Sequence, residues 1–448
     1  KNQRSHTYVS PLFGIRHLQT LLLFLCGLIA YWTRVNLSVA IVAMTNPVNP
    51  DFEYRSKTSR SLKSYILSSF YWGYILTQLP SGHLSHRYGT KLMLLITIAI
   101  PSALTILTPV CVTHGGWGAF CAIRVLEGFF SGGIFPLFHN HLAHWCPVTE
   151  RNLLGAITYS GVEIGTVLAF LFSGLLAAST IGWPGIFYIP GVLGLLWCVL
   201  WYFYGANSPN DYKSISKIEH IYIEASLKDC KTQEPGVIPW KHILTSVPFI
   251  ALIVARISHS WGFQTLLTET PTFVHSILKL DIKSNALYSA LPYLVMWILG
   301  YVFLFMAEIL MKKPSISLTL IRKSFNSISQ WGPAFALIGL ALASPEDLPL
   351  ALSFLIFAIS LGSASTIGSV LNHIDLSPNY AGVLMGIANT VANFISIIVP
   401  IIIGLIVSNE ENRSQWQIVF YIAAAMYFIG NTVYVIFGQM VHQPWNIL

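Results

Sequence analysis

The chain alternates long apolar runs with short polar breaks. Runs long enough to cross a bilayer as helix, roughly 20 residues at 1.5 Å of rise each, lie near 17–45, 61–83, 90–112, 117–145, 153–178, 183–205, 243–267, 285–311, 328–344, 349–372, 380–407 and 415–438. The pattern predicts an all-α membrane protein of twelve transmembrane helices. The longest polar interruption, 207–242, follows the sixth run and divides the helices six and six. Within it "KIEHIYIEASL" has apolar residues at helical spacing, which predicts a helix lying along the membrane surface. The expected organisation is therefore an N-terminal segment 1–16, a six-helix bundle 17–206, a linker 207–242, a second six-helix bundle 243–438 and a tail 439–448.

Composition agrees with this reading. Of 448 residues 54% are apolar and 10% charged, and the mean hydropathy is +0.62, outside the soluble globular range. An even number of crossings returns both termini to one side. That side carries fifteen Lys and Arg, the other seven, counting those at run ends, and three (Arg34, Arg124, Arg256) fall well inside runs. The bias predicts cytoplasmic termini. The net charge of +7 follows from it and needs no nucleic-acid partner. Basic residues before the first run fit an uncleaved signal. The six cysteines show no metal spacing, and Cys111 and Cys121 flank a short outer loop as a conceivable pair or as isolated thiols. No polar loop gathers a nucleophile, a base and a metal set, so the chain does not read as an enzyme.

The charges inside the runs carry the chemistry. An arginine at the bilayer centre costs on the order of 3 kcal/mol, so Arg124 needs a stabilising partner. Glu127 and Ser131, at i+3 and i+7, share its helix face. Either Arg124 and Glu127 form a permanent local pair, or Arg124 fronts a wet cavity where its planar fork clamps a carboxylate or phosphate. Glu127, poised between burial and a guanidinium, is correspondingly a candidate for proton coupling. Arg34 has no acid near it in sequence and must meet a substrate anion or an acid from another helix, Glu127 or Glu163. His139 titrates in a useful range; His141 and His144 near the end of their run suit an interface. Arg256 lines the path or reaches an interface. Phe70, Tyr74 and Tyr159 would ordinarily pack, as would the small-residue spacings Gly128/Gly132 and Gly161/Gly165. The sequon at Asn36 lies inside a run, whereas Asn412 in "NRS" is a glycosylation candidate in an outer loop.

Several stretches, "RVNLSVAIVAM", "LSSFYWGYILTQLPSGHLSHRYGTK", "RVLEGFFSGGIFPLFH", "NHIDLSPNYAGVLMGIANT" and "WQIVFYIAAA", together resemble the anion:cation symporters, the family of sialin, the vesicular glutamate transporters and the sodium–phosphate cotransporters. The resemblance runs from about 17 to 437 and looks nearest to sialin-like and invertebrate phosphate-cotransporter-like members. It implies the major facilitator fold, two pseudo-symmetric six-helix bundles rocking about a site near the membrane midplane. It also implies secondary active transport of a small anion, with H+ or Na+ as coupling ion, no other cofactor, and a monomer working in the lipid bilayer. Substrate contact is expected at Arg34, Arg124, Tyr74, Tyr159 and His259, and ion coupling at Glu127, Glu163 and His139, with Tyr74 and Tyr159 offering hydroxyls to the cavity.

The chain departs from the family pattern at four places. Ser131 stands where a glutamate is usual, Glu163 where sialin-like members have glutamine, His259 where glutamate transporters have arginine and sialin has tyrosine, and His86 replaces the acid of the loop after the second helix. Glu163 is thus a candidate replacement for the acid absent at Ser131, and His259 argues against glutamate as principal cargo. Sialic acid, glucuronate-like sugars, acidic amino acids, urate and phosphate all suit two arginines, and the membrane is lysosomal, vesicular or plasma. The rival readings are an uncoupled facilitator and an anion receptor that moves nothing.

Overall fold

The computed structural model describes residues 13–45, 60–147, 150–228, 238–344 and 346–447, in which only helices, turns and connections occur. Lys1, Arg4, Arg55, Lys57, Cys230 and Lys231 lie outside the described residues, as does the side chain of His86. The first half comprises α1 (Ile15–Thr45), α2 (Arg60–Tyr88), α3 (Thr90–Ser131), α4 (Ile134–Trp145), α5 (Arg151–Ala177) and α6 (Gly185–Tyr204). The connection carries α7 (Lys217–Lys228) and α8 (Trp240–Leu244). The second half comprises α9 (Val247–Ser276), α10 (Ile282–Met311), α11 (Leu318–Leu342), α12 (Leu348–Ser360), α13 (Asn372–Leu376), α14 (Ala381–Ile406) and α15 (Arg413–Phe437).

Eight stretches are long and apolar enough to cross a membrane, and one of them, the 56-residue Thr90–Trp145, contains two crossings. It turns at Gly116, where φ is 62°, a backbone state that a side chain would strain. Thr105 and Thr108 on its first leg reach Glu127 on the second, so the legs lie side by side. With α2, α9 and α11, which are as long but more polar, the described residues hold helices that match all twelve predicted runs. Two runs predicted as continuous are interrupted: a turn at Gly132–Gly133 separates α3 from α4, and α12 gives way to a 3-10 turn over Leu361–Thr366.

Glycine sets the closest helix contacts. A Cβ at Gly128 or Gly132 would run into the carbonyl oxygens of Phe70 or Tyr74 on α2, and one at Gly161 or Gly165 into those of Phe24 or Leu28 on α1. Both small-residue spacings therefore serve packing, backbone against backbone. The halves meet where α2 lies along α14, α5 along α10 and α1 touches α9. Across this seam Phe170 stacks on Tyr293 at 5.2 Å, Tyr71 Oη donates to Gln264 Oε1 at 2.9 Å, and Asn393 Nδ2 donates to Gln78 Oε1 at 2.8 Å. Lys63 Nζ pairs with Glu410 at 2.8 Å on the face opposite the chain termini.

The connection docks on protein along one face, where a surface helix had been expected. Ile223 of α7 is fully buried with Trp145 and Ala206, while Ile218 and Ile221 point outward. Glu219, 2% exposed, accepts from the backbone N–H of Ile15 at 2.9 Å and of Arg16 at 3.0 Å. Its carboxylate thus meets the positive end of the α1 dipole. The Arg16 guanidinium, itself buried, bonds Glu219 at 3.2 Å and Glu150, just before α5, at 2.7 Å. Burial works to raise the Glu150 pKa, yet the Arg16 hydrogen bond and charge hold it below the usual carboxylate value.

Removing one partner of a buried pair strands the other. Arg16→Ala should therefore lower the unfolding free energy of the purified chain by on the order of 3 kcal/mol, read as a lower unfolding midpoint. Because the folded pKa of Glu150 is depressed, its contribution is complete above the ordinary carboxylate range and lost as pH falls through the folded value. Melting curves across that range should show the gap between wild type and Arg16→Ala narrowing toward acid pH; a constant gap would remove Glu150 from the account.

Candidate functional site

Arg34 lies on α1 where the halves meet, half-exposed. Its guanidinium sits over the rings of Tyr31, Phe70, Tyr71 and Tyr74, 4.8–5.4 Å from their centroids. Tyr31 Oη accepts from Nη1 at 3.3 Å, and Nε has no partner. No carboxylate pairs with Arg34 among the described residues. Aromatic faces attract a cation without neutralising it, so the site presents a net positive charge in an aromatic cage.

Arg124 is different, and here the structure corrects the expectation. It is 1% exposed and offers no open face to a cavity. Its Nη1 donates to Glu127 Oε2 at 2.6 Å and to the Thr33 carbonyl at 3.3 Å, and its Nη2 donates to the Arg34 carbonyl at 3.1 Å. The other Glu127 oxygen accepts from Thr105 at 2.9 Å and from Thr108 at 3.4 Å. Glu127, 2% exposed, has both carboxylate oxygens occupied by these bonds. The two arginines are thus joined through the α1 backbone: Arg124 pins the turn from which Arg34 projects.

The tyrosines separate in the same way. Tyr74 is 1% exposed with an unpartnered hydroxyl, so it offers Arg34 its ring face, where a hydroxyl to the cavity had been expected. Tyr159 on α5 is half-exposed. Its hydroxyl is hydrogen-bonded to His139 Nε2 at 2.8 Å, and its ring stacks on Phe135. His139 is exposed. Glu163 lies one turn beyond Tyr159 on the α5 face that ends in Phe170 at the seam; it is half-exposed and has no bonded partner among the described residues.

In the second half, His259 on α9 is half-exposed, stacks on Phe263 and lies 3.5 Å from Ser365 Oγ. Arg256, one turn earlier, is half-exposed and reaches Asn389 Oδ1 on α14 at 3.4 Å; it faces α14 inside the second half and does not reach outward to an interface. Contrary to the interfacial expectation, His141 is fully buried and stacks near Trp145 and Trp201; His144 is exposed. Asn36 is buried and donates to the Ile186 carbonyl at 3.1 Å, whereas Asn412 is exposed and caps α15 through Ser414 N. Cys111 and Cys121 are free thiols.

Sequence reasoning passed over Tyr31, Tyr71 and Gln264. The available signal was spacing, since Tyr31 precedes Arg34 by one turn and Tyr71 precedes Tyr74 by one turn.

The fold and these residues can now be set beside known proteins. The profile of the Major Facilitator Superfamily matches residues 23–400. The chain belongs to that superfamily. Within it, the chain is 37% identical over 459 aligned residues to a Drosophila melanogaster protein described as "Putative inorganic phosphate cotransporter", covering 97% of this chain and 87% of that one. It is 33% identical to human sialin, covering 96% of this chain and 91% of sialin. These are the anion:cation symporter relatives that the motifs indicated. Among solved superfamily structures, the inward-open xylose transporter XylE from E. coli superposes with a TM-score of 0.73 at 16% identity, over 95% of this chain and 96% of that one. The fold is the major facilitator fold, and the superfamily's members are transporters, not enzymes.

The two arginines should respond unequally to neutralisation. Arg124→Gln strands a buried carboxylate and should lower stability by about 3–5 kcal/mol; Arg34→Gln removes an unpaired cation and should change it far less. Thermal melts of the two purified variants, compared with wild type, measure this, and equal losses would place Arg34 in the same structural role as Arg124.

Proposed function

We propose that this protein is a secondary active transporter that carries a small organic or inorganic anion by alternating access, with H+ or Na+ as the driving ion. The observation that supports it most is Arg34: a cation at the seam of the two halves, half-exposed, in an aromatic cage and without a carboxylate. An unpaired guanidinium in that setting is costly, and an anionic guest would relieve the cost each time it binds. The caging rings keep the fork in one plane, which suits a carboxylate or phosphate. The relatives' names, a phosphate cotransporter and sialin, fit that class of cargo. Termini on the cytoplasmic side and a lysosomal, vesicular or plasma membrane complete the reading.

Coupling is assigned to Glu163. It is the membrane acid of the first half left without a bonded partner among the described residues, and it shares a helix face with Tyr159, whose hydroxyl meets His139. A carboxyl so placed can exchange a proton as the halves rock, whereas Glu127 is tied to Arg124. Tyr159 and His259 complete the lining on either side of the seam.

Transport is tested with the purified chain in proteoliposomes and labelled inorganic phosphate or glucuronate. Accumulation above equilibrium under an imposed pH or sodium gradient is the expected result. Equilibration without accumulation would indicate an uncoupled facilitator, and saturable binding without uptake an anion receptor. Glu163→Gln should flatten the pH dependence of uptake while leaving binding intact; an unaltered pH profile would remove Glu163 from coupling.

A further inference from the structure

Among the described residues Arg256 is, after Arg34, a second guanidinium inside the membrane region with no paired carboxylate. It contrasts with Arg124, which holds a carboxylate and two carbonyls, and with Arg322, which bonds Asp375 at 2.8 Å and the Ile367 carbonyl at 2.8 Å. Arg256 has one long contact, to the amide oxygen of Asn389. No carboxylate pairs with it among the described residues, and His259, one turn on along α9, has an unpartnered Nδ1. Asn393, one turn beyond Asn389 on α14, bonds Gln78 of the first half at 2.8 Å, so the Arg256–Asn389 contact lies about one turn from the seam. The result is a partly buried cation with no carboxylate paired to it among the described residues.

Its depth differs from that of Arg34. Tyr71, one of the rings under Arg34, bonds Gln264 of α9. Arg256 lies eight residues before Gln264 on the same helix, which is about 12 Å nearer the face that carries the chain termini.

We propose that Arg256, oriented by Asn389, is a second anion station in the second half, which holds the carboxylate or phosphate group of the cargo between Arg34 and the terminal face. The inference rests on the transport reading above and adds to it where the anion sits before or after Arg34. Two cationic stations on opposite halves let an anion move without meeting an uncompensated stretch of low dielectric. A single tight site would hold the anion too firmly to release it.

The test measures concentration dependence of labelled phosphate and glucuronate uptake by proteoliposomes of wild type, Arg256→Gln and Arg256→Lys. Arg256→Gln should raise KM on the order of tenfold, the loss of one charge-assisted contact, with little change in maximal rate. Arg256→Lys, which keeps the charge and loses the fork, should fall between. If Arg256→Gln does not give monodisperse protein, Asn389→Ala carries the test, with a raised KM expected. Wild-type uptake together with an unchanged KM in the folded variants overturns this inference alone. Absence of both uptake and binding of either anion in wild type overturns the transport reading and this inference together.

Discussion

The structure depends on how one unpaired charge is held inside a membrane protein. Arg34 keeps its guanidinium without a carboxylate because the segment that carries it is fixed by a neighbour. Arg124 spends its own hydrogen bonds on the carbonyls of Thr33 and Arg34 and on Glu127, and Thr105 and Thr108 fix Glu127 in turn. One arginine is consumed by structure so that the other stays available. Had both been free, each would carry the desolvation cost of an isolated ion; had both been paired, the first half would offer no guanidinium to a guest at this site.

Helix packing makes this arrangement exact in position. The rings that face Arg34 come from α1 and α2, and α2 is held against the second leg of α3 by Gly128 and Gly132, where the carbonyls of Phe70 and Tyr74 leave no room for a Cβ. The glycines that look like routine membrane packing therefore set the cage geometry. On the other side, Gly161 and Gly165 bring α5 onto α1 and carry Tyr159 and Glu163 with it. At the terminal face, Glu219 of the connection binds the first turn of α1, which ties the linker to the helix that bears Arg34.

Much of this was legible in the sequence, and what was not has physical reasons. Hydropathy marked the crossings because lipid-facing helices must be apolar throughout, and the i+3 spacing of Arg124 and Glu127 already contained their pairing. The sequence could not show that this pair was closed, because closure comes from Thr105, Thr108 and two α1 carbonyls that are distant in the chain. Tyr74 was assigned a hydroxyl role from resemblance; which face of a ring meets a cation is decided by the rotation of α2, and that is fixed only by tertiary contacts. The helix "KIEHIYIEASL" is legible in the sequence, but its docking partner is not, since Arg16 reaches Glu219 across 203 residues and Glu150 across 134.

The central claim is that Arg34, and not Arg124, supplies the counter-charge to a bound anion. The most direct measurement is equilibrium binding of inorganic phosphate and glucuronate to purified wild-type and Arg34→Gln protein, each first shown to be folded. The account predicts saturable binding to wild type, mutual competition between the two anions if they share the site, and loss of binding in Arg34→Gln. Undiminished affinity in a folded Arg34→Gln protein would contradict it.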